Sequence, residues 1–418
     1  MRKLLDDLFP VYRTLCGPGA KETLERIQQE IPLEIKEYPS GTEVMGWTIP
    51  KEFVVNEAWV KDKYGKKIID FDAHPYHLWS YSQPFSGEVS RDELLEHLTS
   101  QHRCVPLRQT YYKDDWGFSC TDDLRECIED EKGFWGPFEA HIDVEHRDGH
   151  LRIGEAYHEG ETKQEVLINS YVCHPLGAND NLSGVVCAVN LFKRLAQTKT
   201  RYSYRLCLWP ETIGPITWIA TNDTSIVVGG MTLGICGDDY PLVFDESVNG
   251  GPMDNALAHA MSPPMCREYS GFMGPTDSRH FNGMGLNIPM VTLTRGGPAE
   301  FPEYHTSLDT PDIINWENMD ETVEVAFNAI QVLERNQVYK PRYATTPCLQ
   351  KHGIFPYQHG TGTGGNERTN AARAYFELMY LVDGKRDLLS IADSQGLSIF
   401  DFDEPVEKFL EAGLIEPA

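Results

Sequence analysis

The feature that most restricts what this chain can fold into is a repeated switch of hydrophobic period between residues 135 and 340. EVLINSYVC (165–173) is an apolar run with β-branched residues and reads as a strand. VVCAVNLFKRLAQ (185–197) then places Val185, Ala188, Val189, Phe192 and Leu195 along one helical face. SYRLCLW (203–209), MTLGIC (231–236) and IPMVTLT (288–294) are again strand-like, and ENMDETVEVAFNAIQVLER (317–335) is a long amphipathic helix. Such alternation predicts an α/β layer built on a largely parallel sheet.

At 418 residues the chain exceeds what one hydrophobic core usually supports, so further domains are expected around that layer. Residues 1–40 read as two helices around the break GPGA, the second, KETLERIQQEI, carrying Leu24, Ile27 and Ile31 at helical spacing. Residues 41–125 change character. Short β-rich segments (WTIP, EFVVNEAWV, KKIIDF) alternate with turn residues, interrupted by one helical pattern, RDELLEHLTSQ (91–101). The Pro-, Gly- and Thr-rich stretch 341–370 reads as a linker, and 371–418 as a winged-helix module ending in a strand-like GLI. The expected domains are therefore 1–40 with 126–340, an insert at 41–125, and the C-terminal module.

Asp and Glu outnumber Lys and Arg by 63 to 37, and a net charge of −26 repels phosphate backbones. Nucleic acid is not an expected partner. Asp6, Asp7 and Pro10 interrupt the apolar N-terminus, and the weakly polar run 226–236 is too short to span a bilayer, so neither a signal peptide nor a membrane segment is expected. Ten scattered cysteines with no CxxC pair fit reduced thiols in a cytoplasmic protein.

Ligands of such sheets collect beyond the carboxyl ends of the strands. His174 follows the strand 165–173, and Glu211 follows 203–209. Asp238 and Asp239 follow 231–236, and His305 lies in EFPEYHTSLDT after 288–294. A hydrolytic zinc needs three N/O ligands and one open position, with a carboxylate nearby as proton acceptor. His174, Asp180 and His305 supply such ligands, and Glu211 the base. Asn179 and Asn181 would fix the Asp180 carboxylate, and Ser183 would cap the following helix. Taken singly, each residue has an ordinary alternative: ANDNLSG is also an Asx-rich turn, and Glu211 could pair with an arginine.

CHPLGANDNLSG, WPETIG and EYHTSLDT together resemble the M28-type, co-catalytic zinc aminopeptidases. The closer resemblance is to the aminopeptidase-like DUF4910/DUF2172 subgroup. There a β-rich insert similar to GWTIPKEFVVNEAWVKD, YSQPFSG and YYKDDWGFSC interrupts the peptidase domain, and a winged helix follows. The resemblance implies a mixed sheet flanked by helices. It makes His174 the first histidine ligand, Asp180 the bridging aspartate, Glu211 the general base and His305 the late histidine ligand. Where the two-zinc enzymes carry a second acidic residue after the base, this chain has Thr212. One Zn²⁺ is then expected, with a second metal only if Asp238 is a ligand. Arg279 and His280, in GPTDSRHF (274–281), would reshape the substrate pocket.

These readings predict a zinc-dependent hydrolase cleaving an amide bond in a peptide or a small molecule. The alternatives are a single-zinc acyltransferase of the glutaminyl-cyclase kind and a catalytically idle binder of a biosynthetic intermediate. Tyr111, Tyr112 and Trp116 of the insert are candidates for a wall over the cleft. The presumptive recognition helix DFDEPVEKFLEAG is acidic, which favours subunit contact, in a homo-oligomer, over DNA binding.

Overall fold

The computed structural model describes residues 1–130, 136–261, 265–267, 276–283, 285–297, 300–354 and 370–418. They form two compact units: Met1–Gly251 with Met265–Glu324, and Pro252–Pro264 with Val325–Ala418.

The first unit is built on an eight-stranded mixed sheet. Its spatial order is Glu34–Pro39, His150–His158, Ser203–Trp209, Glu165–Tyr171, Val227–Leu233, Met290–Arg295, Leu242–Asp245 and Cys266–Arg267. The four strands from Ser203–Trp209 to Met290–Arg295 run parallel, as the alternating pattern requires. The strands beyond them on either side join antiparallel. Glu165–Tyr171 is buried at every residue, which its unbroken apolar run demands. Gly184–Leu195 crosses over to Ser203–Trp209 on one side, and Ile213–Thr221 leads back to Val227–Leu233 on the other. The chain order therefore reverses around Glu165–Tyr171, the place where such sheets open a crevice.

Two elements differ from the sequence reading. The second N-terminal helix is Pro18–Ile27, and the chain then forms the outer strand Glu34–Pro39, paired antiparallel with His150–His158. EIKEYP has too few apolar residues to announce a strand. The helix expected over 91–101 ends at Glu96, because Leu98–Gln101 turns into a strand parallel to Phe118–Thr121.

The β-rich insert forms its own four-stranded antiparallel sheet, ordered Lys67–Asp70, Glu52–Lys61, Phe138–Arg147, Phe85–Val89. Phe138–Arg147 is an inner strand of that sheet, so the insert runs past residue 125 to 147. Gly117 is required here: a Cβ would stand 2.6 Å from the Trp79 ring. The insert core, with Phe53, Leu78, Phe118 and Phe138, is continuous with Cys173 and Ile213 at the carboxyl edge of the main sheet. That continuity makes the insert part of the wall around the edge.

In the second unit, helices Asn370–Leu381, Leu388–Gln395 and Asp403–Glu411 precede a strand, Ile415–Pro417. The strand pairs antiparallel with Tyr339–Pro341, so the chain entering the expected linker is already part of this unit. Residues 355–369 of that linker lie outside the described residues. The acidic segment divides into a one-turn helix, Ile399–Phe402, and the helix Asp403–Glu411. Among the described residues no helix is long and apolar enough to cross a membrane.

Candidate metal centre

Tyr171 and Trp209 lie side by side at the ends of their strands, so the loops that follow leave the sheet together. His174 and Glu211 are the residues they deliver. Asp180 rides on a buried, irregular helical turn, Ala178–Ser183, whose Asp180–Asn181 peptide is cis. Asp309 secures that turn, accepting hydrogen bonds from the backbone N–H of Asn179 at 2.6 Å and of Asp180 at 2.9 Å. The Tyr171 hydroxyl donates to Asp180 Oδ1 at 2.7 Å. The other oxygen, Oδ2, lies 3.1 Å from His305 Nε2 and 3.8 Å from His174 Nε2.

These distances test whether a metal fits. Tetrahedral ligand atoms held about 2.1 Å from one ion lie about 3.4 Å apart. The ligand atoms of His174, Asp180 and His305 all fall within 4.8 Å of one another. Asp180 Oδ2 and His305 Nε2 are buried and have no aligned hydrogen bond. Two such orphaned atoms are costly unless a cation satisfies both. Burial alone would raise the Asp180 carboxyl, but His174 and His305 outweigh it and hold it down at about 2. The donor set suits a divalent ion of the zinc type. A second grouping, Cys173 with His174 and Glu211, fits less well. Burial pushes the Cys173 thiol far up, and its sulfur already accepts from the Glu211 backbone N–H at 3.3 Å.

His305 stands at φ +55°, a left-handed conformation uncommon for a residue with a Cβ. The insert holds it there: Leu107 N–H donates to His305 O at 2.7 Å, and Val105 O accepts from Ser307 N–H at 2.9 Å. The Tyr304 ring stacks on the imidazole at 3.9 Å. Arg13 fixes the opposite ligand, donating from Nε to His174 O at 2.9 Å.

Glu211 Oε2 lies 3.9 Å from His174 Nε2, and Oε1 accepts from the Thr276 hydroxyl at 2.8 Å. Behind it is a carboxyl that the sequence reading did not single out. Asp277 is fully buried and accepts from Thr212 N–H and Trp209 Nε1–H, both at 2.8 Å. Burial, reinforced by the Glu211 charge, pushes it up to about 8. Its clue was the isolated aspartate in GPTDSRHF; residues 274–275 of that motif lie outside the described residues.

The supporting residues do other work than expected. Asn179 and Asn181 do not touch the Asp180 carboxylate. Asn179 donates to Asp238 Oδ2 at 2.9 Å and accepts from Gly237 N–H, while Asn181 accepts from Ile235 N–H. Ser183 is the N-cap residue of Gly184–Leu195 as expected, but its side chain makes no capping bond; the hydroxyl donates to Asn179 O and accepts from Cys236 N–H, both at 2.7 Å. Short polar side chains thus lace the turn to the adjoining strand end instead of to the carboxylate. Asp238 is engaged in this lacing and belongs to neither ligand grouping, and Asp239 accepts from Asn315. A cavity of about 300 Å³ opens beside Glu211, lined by Trp47, Tyr111, Tyr112, Thr212 and Arg279 among others. Trp116 is elsewhere, stacked between Phe85 and His97 in the insert.

Comparison with known proteins bears on the family and the fold. The family described as a domain of unknown function, DUF4910, matches residues 2–336. The chain belongs to this family. A Clostridium acetobutylicum relative, named a polysaccharide biosynthesis protein with an aminopeptidase-like domain, is 34% identical over 407 residues. That match covers 94% of this chain and 91% of the relative. The crystal structure of a C. acetobutylicum protein described as a peptidase superposes with a TM-score of 0.85 at 30% identity. It covers all of this chain and 96% of that one. BSAP, a zinc aminopeptidase from Bacillus subtilis, shares the fold at a TM-score of 0.56 and 12% identity, over 79% of this chain and 93% of its own. The family member thus has an aminopeptidase-like α/β fold.

Proposed function

We propose that the protein is a zinc-dependent hydrolase of an amide bond, with His174, Asp180 and His305 as the metal ligands and Glu211 as general base. The observation that carries this reading is the convergence of two imidazoles and one carboxylate, two of their atoms buried and unsatisfied, beside a carboxylate that faces a cavity. A zinc ion there would supply Lewis acidity towards a carbonyl and lower the pKa of a water.

The residues of the chain do the rest. Glu211 takes the proton from the attacking water and returns it to the leaving nitrogen, so that OH joins the carbonyl carbon as the C–N bond breaks. The Thr276 hydroxyl on Oε1 leaves Oε2, on the His174 side, for that proton. Asp277 holds the Thr212 N–H and the Trp209 indole, and so fixes the backbone on which Glu211 sits. Tyr171 and Asp309 hold Asp180 by its other oxygen and its own N–H. Tyr111 and Tyr112 limit how much water surrounds the base.

The test is Glu211→Gln. The variant is expected to keep its zinc and lose at least about 100-fold in turnover of amide substrates, the usual scale for a positioned base. A fully active Gln variant refutes the assignment. Mass analysis of products separates hydrolysis, which adds the elements of water, from cyclisation with loss of ammonia.

A further inference from the structure

Among the described lining residues of the cavity beside Glu211, Arg279 is the one basic side chain. Arg279 projects from the short helix Ser278–Asn282 into the lining. It donates from Nη2 to Thr212 Oγ1 at 3.1 Å and from Nε to His280 Nε2 at 3.4 Å. Among the described residues it makes no ion pair, in a chain with 63 acidic residues to 37 basic. A guanidinium has five N–H donors in a planar fork, so donors remain for a ligand. Both of its contacts are to neutral acceptors: a hydroxyl, and an imidazole that burial and Arg279 itself push down to about 4.

The rest of the lining narrows what that ligand is. Glu211 is the one carboxylate among the described lining residues, and the proposed reaction uses it as base. Asp180 and Asp277 are buried and already hydrogen-bonded to Tyr171, Trp209 and Thr212. Where a second carboxylate could stand after the base there is Thr212, whose hydroxyl faces Arg279. A free α-ammonium group on the substrate would find no spare carboxylate among the described lining residues and would meet a guanidinium. An oxyanion would find a planar donor fork in a cavity that Trp47 and Tyr112 also line.

We infer that Arg279 is a specificity-determining anion site, and that the substrate is an amide bearing a carboxylate close to the scissile bond, such as an N-acyl amino acid, instead of a peptide with a free amino terminus. This rests on the hydrolase reading for the reaction, but the anion site itself is testable by binding alone.

The experiment measures calorimetric binding of N-acetyl-L-phenylalanine, N-acetyl-L-phenylalaninamide and the free-amine dipeptide Phe-Ala to the zinc-loaded full chain. The wild type is compared with Arg279→Gln and Arg279→Lys. Arg279 is exposed, so these changes empty no core space. The acid is expected to bind about 10- to 100-fold more tightly than its amide, the range of one bidentate charge-assisted pair. Arg279→Gln should bring the two together, and Arg279→Lys should keep part of the gap. Equal binding of acid and amide by the wild type, preference for the dipeptide, or an undiminished gap in Arg279→Gln overturns the inference. Turnover of the same three compounds separates the two ideas. Binding preference without cleavage leaves the anion site standing and sinks the hydrolase, whereas cleavage of all three alike does the reverse.

Discussion

Replacing Tyr171 by Phe removes one oxygen atom and tests how the chain orients its central ligand. The hydroxyl donates at 2.7 Å to Asp180 Oδ1, wholly inside the protein, and the ring stays packed against His174 at 5.1 Å. A hydrogen bond to a charged group contributes about 1.5–3 kcal/mol, and its loss leaves a carboxylate oxygen without a donor. Part of that cost falls on the metal-free protein, so urea unfolding should show it less stable by about 1–3 kcal/mol. The other part falls on metal binding, because Oδ2 is aimed at the His174–His305 gap only while Oδ1 is held. Partners of this kind are worth about 10- to 100-fold in metal affinity. Competition of the folded variant against a chromogenic zinc chelator should show that loss. An affinity within about twofold of the wild type would refute the idea that Tyr171 orients the ligand.

Other changes should have separable outcomes. Cys173→Ala should leave zinc stoichiometry unchanged, since its thiol is held neutral and bonded to the Glu211 backbone; loss of zinc on atomic absorption would move the site to the second grouping. Asp277 is raised to about 8 in the fold against about 4 unfolded, so its contribution to stability is present below about pH 4 and lost as pH rises through about 8. Urea midpoints should therefore fall across that window, and Asp277→Asn should flatten the decline; an unchanged pH profile would contradict the assignment. Gly177→Ala would put a Cβ 1.8 Å from Asp180 O, which forces the turn to move, and both zinc content and thermal stability should drop. A normal melt with full zinc would show that the turn tolerates movement.

How much of this was legible beforehand depended on whether the signal was local. His174 and Glu211 could be named because they closely follow apolar runs, which burial on both faces makes conspicuous, whereas Asp180 and His305 lie in loops farther on and needed the motifs ANDNLSG and EYHTSLDT and the resemblance they carry. Phe138–Arg147 carries the alternating polarity of a half-buried strand, but it lies beyond the helix Asp122–Glu129, which breaks the β-rich pattern and hides its link to the insert. Tyr171 and Asp309 were invisible for a different reason. A tyrosine at the end of a buried strand reads as core, and an aspartate four residues after His305 reads as a turn. Only the folded geometry shows that one holds the side chain of Asp180 and the other its backbone. Asp277 shares that fate, since nothing in its neighbours announces a partner 65 residues away at Thr212. Asn179, Asn181 and Ser183 make other bonds than their sequence neighbours suggest, because the loop 235–237 that they tie down, just after the strand Val227–Leu233, is distant in sequence.

X-ray absorption at the zinc edge on the purified full-length protein tests the central claim most directly. The account predicts one zinc per chain in a shell of nitrogen and oxygen at about 2.0–2.2 Å with no sulfur, lost in Asp180→Ala. A sulfur scatterer at about 2.3 Å, or zinc retained unchanged in Asp180→Ala, would contradict it.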